Sequence, residues 1–203
     1  MIKAVVFDIG GVIIDLDFNN CVGEFRKFGC EKIKEMLDPC HQRGVFARME
    51  SGEISEEEFL DACISYSNPG TTREQVSDAL MAFCVGVERY KMDFIKELRD
   101  RNYKTFALSN NNPIVVRRFP ELCPGINVTD YFDDCFFSYR LKILKPDQAI
   151  FRYAIEHSGL KAEELLFVDD SPLNVEAARA AGMRAVHYVC GSDLRKTILD
   201  ALD

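Results

Sequence analysis

Five short runs dominated by apolar residues are the feature that most constrains how this 203-residue chain folds. Their apolar character is continuous rather than alternating, which is typical of parallel β-strands covered on both faces. The predicted strands span residues 2–7, 103–108, 135–138, 165–168 and 185–189.

Helical patterns lie between the later strands. Residues 146–158 begin with a proline in the first turn and stop at Gly159, and residues 172–181 follow Ser171 and stop at Gly182. Proline, serine and glycine are favoured at these helix ends. Strands that alternate with helices predict an α/β fold with a Rossmann-like, doubly wound parallel sheet.

The connection between the first two strands is much longer than one crossover helix requires. Residues 16–88 therefore predict an inserted cap subdomain, and residues 1–15 and 89–203 predict the α/β core. Within the insertion, Ser55 and Thr72 each begin a capping-box pattern ahead of apolar residues. We expect a helical cap that closes over the strand ends.

The charge balance argues against two kinds of partner. The net charge of −8 and the isoelectric point near 5.0 disfavour nucleic acid and an anionic membrane surface. No apolar stretch is long enough to span a bilayer, and the N-terminal run is too short for a signal peptide. The eight cysteines include no CxxC pair, so we expect buried free thiols in a cytoplasmic protein. The oligomeric state stays open, and a monomer is compatible with the sequence.

Chemically active groups follow the first four predicted strands. They are, in chain order, Asp8, then Ser109 with Asn110, then Lys145, and then Asp169 with Asp170. Ligands of an open α/β sheet bind beyond the carboxyl ends of its strands, so these groups should meet. Three crowded carboxylates need a cation or a proton between them, and carboxylate oxygens favour Mg²⁺. A lysine and a serine beside that metal would suit a phosphate group.

The chain resembles the haloacid dehalogenase superfamily through four motifs, which occur in the family order over nearly the whole chain. They are VVFDIGGVI, FALSN, the Lys145–Pro146 step and LFVDDS. The insertion between the first two motifs resembles the helical cap of the family's first type. The stretch FDIGGVIIDLDFN is similar to a phosphatase subgroup that acts on sugar phosphates such as glucose 1-phosphate.

The resemblance implies catalytic roles for residues at the matching positions. Asp8 would attack phosphorus and become an aspartyl-phosphate, which divides one difficult displacement into two easier ones. Ser109 and the amides of Asn110 would hold the phosphoryl oxygens. Lys145 would offset the charge of both the nucleophile and the phosphate.

The resemblance also implies a Mg²⁺ site. Asp8 and Asp170 would ligate the ion directly, with Asp169 at or near it. The backbone carbonyl of Gly10 would supply a further oxygen. Asn174 stands where some family members carry one more acid.

Gly10 departs from the family pattern, because most phosphatases of the family carry a second aspartate at that position. That aspartate protonates the leaving group and then activates water, and such a group typically contributes ~10²–10⁴ in rate. A substrate with an acidic leaving group, such as the anomeric hydroxyl of a sugar 1-phosphate, needs less help. Asp15 or Asp17 could instead donate the proton, although solvated hinge charges are the more ordinary interpretation.

The leading hypothesis is a Mg²⁺-dependent phosphatase of a small phosphorylated metabolite, with Asp8 and Lys145 as its catalytic groups. A 2-haloacid dehalogenase, in which Asp8 attacks carbon without a metal, is the alternative enzyme. A third reading is a phosphate-binding or regulatory protein that has lost turnover through Gly10. A phosphotransferase also stays open, since an aspartyl-phosphate can pass to an acceptor other than water.

Other polar residues are interpreted as having no catalytic role. In the insertion, Arg43, Arg48 and Glu50 could face a substrate, but the ordinary interpretation as surface groups is preferred. The three histidines are scattered along the chain, and none is interpreted as catalytic; they are His41, His157 and His187.

Overall fold

The computed structural model describes residues 1–37 and 43–202. Its strands are, in chain order, β1 (Ala4–Phe7), β2 (Ile14–Leu16), β3 (Cys84–Val87), β4 (Lys104–Ser109), β5 (Asp134–Phe137), β6 (Leu165–Asp169) and β7 (Arg184–His187). Within these residues, β5, β4, β1, β6 and β7 form a parallel sheet in that spatial order. The five predicted strands are confirmed, with ends displaced by no more than two residues.

The α-helices of the described residues fall into two groups. Those between β2 and β3 are α1 (Phe18–Lys27), α2 (Ile33–Met36), α3 (Gly44–Glu50), α4 (Glu56–Ser65) and α5 (Arg73–Met81). Those after β3 are α6 (Arg89–Asp100), α7 (Pro113–Arg117), α8 (Ser138–Leu141), α9 (Gln148–Ser158), α10 (Pro172–Ala180) and α11 (Leu194–Leu202). The insertion is therefore helical over the part that the structure describes.

The central strand β1 shows why the strand sequences are apolar throughout. Val5 and Phe7 join a core that includes residues of α6 and α11, whereas Ala4 and Val6 join a second core with α9 and α10. Successive side chains of a strand point to opposite faces, so both faces of this sheet are covered. The Rossmann-like, doubly wound prediction is confirmed.

Helix ends agree closely with the sequence signals. Ser55 and Thr72 both form complete capping boxes, and α10 begins directly after Ser171. The start of α9 differs from the prediction because Asp147 caps this helix and accepts a hydrogen bond from the Ala149 amide at 2.8 Å. The proline at position 146 therefore precedes the helix.

The antiparallel ribbon of β2 and β3 is not predicted from the sequence. Its strands have three and four residues and contain an irregularity between Asp15 and Leu16, so no period is visible in the sequence. The pairing places Ile14 opposite Val87 and Asp15 opposite Gly86. The two chain segments that connect the sheet to the helical insertion therefore run side by side.

The two acids before the insertion have specific partners. Asp15 accepts a hydrogen bond from the ammonium of Lys91 at 2.8 Å, and Lys91 is fully buried on α6. Glu88 lies 3.4 Å from the same ammonium. Asp17 caps α1 and accepts a hydrogen bond from the Asn20 amide at 3.0 Å. Neither acid is simply a solvated hinge charge.

The cysteines of the described residues are free thiols. Cys21, Cys30 and Cys63 are buried as expected, but Cys190 is exposed. Cys40 and His41, about which the sequence also led to expectations, lie outside the described residues. Across residues 1–37 and 43–202, no helix combines the length and the apolar character that crossing a bilayer requires.

Candidate active site

A buried ammonium joins two strand-end carboxylates at the carboxyl edge of the sheet. Asp8 extends the pairing of β1, because its amide donates to the Val168 carbonyl at 2.9 Å. The Nζ atom of Lys145 lies 2.9 Å from Oδ2 of Asp8 and 2.6 Å from Oδ2 of Asp169. All three side chains are buried or nearly so. The structure thus brings together three of the residues that the sequence predicts.

Asp169 is held on both of its carboxylate oxygens. Its Oδ1 accepts a hydrogen bond from the Ser171 amide at 2.8 Å, and Asn174 Nδ2 lies 3.1 Å from each oxygen. Lys145 supplies the remaining contact, to Oδ2. Asp169 and Asn174 therefore fix the position of the ammonium beside Asp8, and direct metal ligation by Asp169 stays a prediction.

The crowding of acids changes the proton affinities at this edge. Burial raises the pKa of Asp8 to about 7; the nearby Lys145 opposes this shift, and the charges of Asp169 and Asp170 add to it. Burial also raises the pKa of Asp170, with Asp169 as the next cause. Burial by itself lowers the pKa of Lys145, but Asp169 and Asp8 outweigh it, so this pKa is raised and the ammonium persists. The three carboxyl groups of Asp8, Asp169 and Asp170 can carry more negative charge than the single ammonium of Lys145 neutralises.

The acids fit a divalent cation. One oxygen each of Asp8, Asp169 and Asp170 lies within 4.8 Å of the others, and hard oxygen donors of this kind suit Mg²⁺. Gly11, in the loop after β1, lies directly against this cluster of acids. Its φ is +74°, and a Cβ atom there would stand 2.3 Å from Oδ2 of Asp170. Only glycine allows the chain to pass so close to that carboxylate.

The groups at the end of β4 are Ser109 and Asn110. Ser109 is buried at the end of this strand. The side chain of Asn110 accepts a hydrogen bond from the Lys145 amide at 2.8 Å and donates one to the Lys145 carbonyl at 3.0 Å. The side-chain amide of Asn110 therefore fixes the backbone of Lys145. Phosphate binding by Ser109 and by the Asn110 backbone stays a prediction.

A cavity of about 520 Å³ opens in front of Asp8. Part of its lining comes from the loops at the carboxyl ends of the strands, namely Asp8, Gly10, Asn110, Lys145, Asp147 and Asp170. Another part comes from the ribbon and the insertion, namely Leu16, Ala47, Glu50 and Phe83. Among the described lining residues, four carboxyl groups face one ammonium. A phosphate dianion would enter this cavity readily only if further positive charge or protons were present.

Glu50, which is interpreted from the sequence as a surface group, lines the cavity instead. Glu50 ends α3 and lines the cavity together with Asp8 and Lys145. Desolvation by the surrounding protein raises its pKa to about 8, with a further rise from the charge of Asp8 and an opposing effect of Lys145. The carboxyl group therefore holds its proton to a higher pH than a solvent-exposed glutamate does.

The backbone of Glu50 is fixed to the sheet side of the cavity. Ser138, fully buried at the start of α8, donates a hydrogen bond to the Glu50 carbonyl at 2.7 Å and accepts one from the Asn111 amide at 3.0 Å. A Cβ atom on Gly52, whose φ is +66°, would stand 2.3 Å from the Tyr139 carbonyl oxygen. Gly52, two residues after Glu50, thus marks the close approach of insertion and core, but no signal in the sequence identifies Glu50 itself.

The remaining polar residues for which the sequence predicts no role are exposed or contact backbone groups, and their lack of a catalytic role stays a prediction. Arg43 and Arg48 are exposed, and Arg48 lies 3.5 Å from Glu53. Ring nitrogens of His157 and His187 contact backbone carbonyls, at 2.8 Å and 2.9 Å.

A doubly wound parallel sheet with a buried lysine and strand-end acids at its carboxyl edge defines an α/β enzyme with a carboxylate-based site. Residues 2–182 match the family model described as haloacid dehalogenase-like hydrolase, and the chain belongs to that family. The family prediction is confirmed. The narrower likeness to phosphatases of sugar 1-phosphates stays a prediction.

Three similar proteins cover nearly all of this chain. A D-ribitol-5-phosphate phosphatase from Bacteroides thetaiotaomicron is 35% identical over 98% of this chain and 97% of its own length. The structure of a HAD-like family hydrolase from Porphyromonas gingivalis has a TM-score of 0.91 and 38% identity, with 100% of this chain and 98% of that one covered. A HAD family enzyme from Bacteroides thetaiotaomicron, solved with magnesium and inorganic phosphate, has a TM-score of 0.87 and 32% identity, with 95% and 97% covered.

Proposed function

We propose that this protein is a Mg²⁺-dependent phosphatase of a small phosphorylated metabolite of the sugar or polyol class. The observation that carries this proposal is the Lys145 ammonium, which lies between Asp8 and Asp169 at the base of the cavity. The relative that is named a D-ribitol-5-phosphate phosphatase supports the substrate class. The similar enzyme solved with magnesium and inorganic phosphate supports the metal and the phosphate.

Asp8 is the nucleophile of the proposed reaction. Its Oδ1 accepts a hydrogen bond from the Ile9 amide at 2.7 Å, and its Oδ2 contacts Lys145, so the carboxylate is oriented before substrate binds. Attack on phosphorus forms the aspartyl-phosphate, and water then releases inorganic phosphate from it. Lys145 offsets charge on the carboxylate and on the phosphoryl oxygens that approach it.

Asp8 and Asp170 would hold the Mg²⁺ ion, with Asp169 and the Gly10 carbonyl as the further predicted contributors. When bound, the ion would supply positive charge to the phosphoryl oxygens. The protein's own residues set the position of this charge, because Gly11 lets the β1 loop approach Asp170 closely. The excess of carboxyl groups over ammonium groups in the cavity lining is the reason that such an ion is needed.

Residues 16–88 form the proposed cap, which selects the substrate. Leu16, Ala47, Glu50 and Phe83 contribute to the cavity wall from the ribbon and the insertion. A cavity of about 520 Å³ is in the range of pockets that enclose small molecules. The cap would thus contact the part of the substrate that leaves, while the strand ends contact the phosphate.

A phosphate-release panel tests the function. It includes D-ribitol 5-phosphate, glucose 1-phosphate, other sugar phosphates, nucleotides and phospho-acids, each with Mg²⁺ and with EDTA. We expect Mg²⁺-dependent release from sugar or polyol phosphates, and no release by the Asp8→Asn variant. Absence of release from every substrate would refute the phosphatase, and EDTA-insensitive halide release from 2-haloacids would identify a dehalogenase instead.

A further inference from the structure

We propose that Glu50 is the general acid and general base of this reaction, in place of the side chain that Gly10 lacks. The inference rests on the proposed function, because it assigns the proton transfers of that hydrolysis. Glu50 belongs to α3 of the insertion, so one of the proton-transferring groups lies on the proposed cap and not at the strand ends.

The geometry of the cavity supports this role. Asp8 attacks phosphorus in line with the bond that breaks, so the leaving oxygen lies on the side of phosphorus away from Asp8. Asp8 lies at the sheet edge, and Glu50 lines the same cavity from α3 of the insertion. A leaving oxygen that points from the sheet toward the insertion points toward the wall that carries Glu50.

Glu50 is also held in a fixed place. The Ser138 hydroxyl ties the Glu50 carbonyl to the Asn111 amide on the core, and the turn at Gly52 touches the backbone of Tyr139. A proton donor must be positioned within hydrogen-bond reach of the oxygen that it protonates. These contacts dock the end of α3 on the core and so place the carboxyl group reproducibly in front of the site.

The protonation state suits the first proton transfer. The pKa of Glu50 is raised to about 8, mainly by desolvation. Among the described lining residues, the other charged groups are Asp8, Lys145, Asp147 and Asp170. The charge of Asp8 adds to the rise in the Glu50 pKa, and Lys145 opposes it. Glu50 can therefore carry a proton at neutral pH that an ordinary surface glutamate would have lost.

The other acids near the cavity have different tasks. Asp15 is bound to the buried ammonium of Lys91, and Asp17 caps α1. Asp147 caps α9 and is exposed. Asp170 is a proposed metal ligand. Glu50, the remaining carboxyl group of the described lining besides the nucleophile Asp8, has none of these tasks.

The proton transfers balance over the two steps. In the first, the bond between an Asp8 oxygen and phosphorus forms, the bond from phosphorus to the leaving oxygen breaks, and that oxygen takes the Glu50 proton. In the second, a water oxygen bonds to phosphorus, its proton passes to the Glu50 carboxylate, and the bond to Asp8 breaks. The products are the alcohol and inorganic phosphate, and both carboxyl groups return to their starting states.

The leaving group distinguishes a proton donor from a structural residue. An alkyl leaving group needs protonation, whereas p-nitrophenolate leaves without it. We expect Glu50→Gln to lower kcat/KM for the best alkyl phosphate of the panel by ~10²–10⁴ and to leave kcat/KM for p-nitrophenyl phosphate nearly unchanged. With p-nitrophenyl phosphate the variant should release a burst of nitrophenolate, because the second step lacks its base.

The pH profile gives an independent readout. Since the acid must be protonated, kcat/KM of the wild type for the alkyl phosphate should fall as pH rises above about 8, and this limb should be absent in Glu50→Gln. Glu50→Asp should keep the limb at a reduced rate, which also covers the case that Glu50→Gln folds poorly. Glu53→Gln is the matched control, because Glu53 is an exposed acid of the same turn, paired with Arg48.

The results separate the two proposals. If the wild type is active and Asp8→Asn is inactive, but Glu50→Gln lowers kcat/KM for both substrates equally or for neither, Glu50 is not the proton donor and the phosphatase stands. If the wild type releases phosphate from neither substrate, the phosphatase itself is wrong and the role of Glu50 falls with it.

Discussion

The side chain of Leu16 lies 3.1 Å from the point where a Cβ atom would stand on Gly10. Leu16 belongs to β2, so the ribbon places an apolar side chain beside the position where an acidic side chain at residue 10 would begin. Gly10 supplies no acid, and the side chain beside it is the apolar Leu16. A proton donor for this cavity then has to come from another wall.

Adjacent glycines allow a matched comparison. In Gly10→Ala the new methyl group meets the flexible end of Leu16, which is 38% exposed and can move, so we expect a loss of about 1 kcal/mol or less. In Gly11→Ala the methyl group meets Asp170 at 2.3 Å in a left-handed backbone, so we expect a larger loss of stability and of Mg²⁺ affinity. Urea unfolding and Mg²⁺ titration measure both. Equal effects of the two substitutions would contradict this account.

Mg²⁺ binding should stabilise the folded protein. At a free concentration 100 times the dissociation constant, the expected gain is about 2.7 kcal/mol, seen as a higher Tm. Asp170→Asn should lose most of this gain because it removes a proposed ligand. Asp61→Asn, which changes an exposed acid paired with Arg73, should keep it. A Tm that Mg²⁺ raises equally in all three proteins would rule out the proposed site.

Lys145→Met should destabilise the protein in the presence of EDTA. The substitution leaves Asp8 and Asp169 buried without the ammonium between them, and uncompensated buried charge costs ~3–5 kcal/mol. Mg²⁺ should restore part of the loss by supplying positive charge. Lys196→Met is the control, because Lys196 pairs with Asp200 on the surface and should change stability by less than about 1 kcal/mol. Equal stability of the two variants in EDTA would show that the buried ammonium is not needed.

Ser138→Ala should affect both stability and activity. It leaves the Glu50 carbonyl and the Asn111 amide without their partner, which costs ~1–3 kcal/mol and loosens the position of Glu50. Ser158→Ala removes a similarly buried hydroxyl that contacts the Ile155 carbonyl and the Leu160 amide, far from the cavity lining. We expect similar losses of unfolding free energy but a fall in kcat only for Ser138→Ala. A fall in kcat of the same size in both variants would remove the special role of Ser138.

The stability of the Glu50→Gln variant relative to the wild type should depend on pH. The folded protein holds the Glu50 proton up to about pH 8, above the ordinary value of 4.5, so it binds this proton more tightly than the unfolded chain does. The wild type therefore loses stability as pH rises between these values, and glutamine has no proton to lose. In urea unfolding across this range, the free energy of unfolding of the variant should rise relative to that of the wild type as pH rises. A constant difference would mean that Glu50 titrates normally.

The sheet and its polar edge could be predicted from the sequence because each depends on local signals. A strand covered on both faces reads as a continuous apolar run, and the residue after it, such as Asp8 or Asp169, lies at the ligand-binding edge by topology alone. The helices of the insertion were likewise visible through their capping boxes at Ser55 and Thr72.

Glu50 and the β2–β3 ribbon could not be predicted in this way. The place of Glu50 depends on how the insertion docks, which is decided by long-range contacts such as that of Ser138 with the Glu50 carbonyl. The ribbon depends on pairing residues such as Ile14 and Val87, which are far apart in the chain. The contact of the Asn110 side chain could not be predicted either, because its partner is the backbone of Lys145 in a distant loop.

The ribbon has a consequence for how such a chain can vary. Because β2 and β3 are paired, the insertion leaves and returns through a narrow stem, whose strands lie about 5 Å apart as in any antiparallel pair. The sheet is connected to the same stem whatever lies beyond Leu16 and Cys84. Helices beyond this stem can therefore be lengthened or exchanged while the stem keeps its connection to β1 and to Asp8. The fold can acquire a new selectivity while its nucleophile stays where it is.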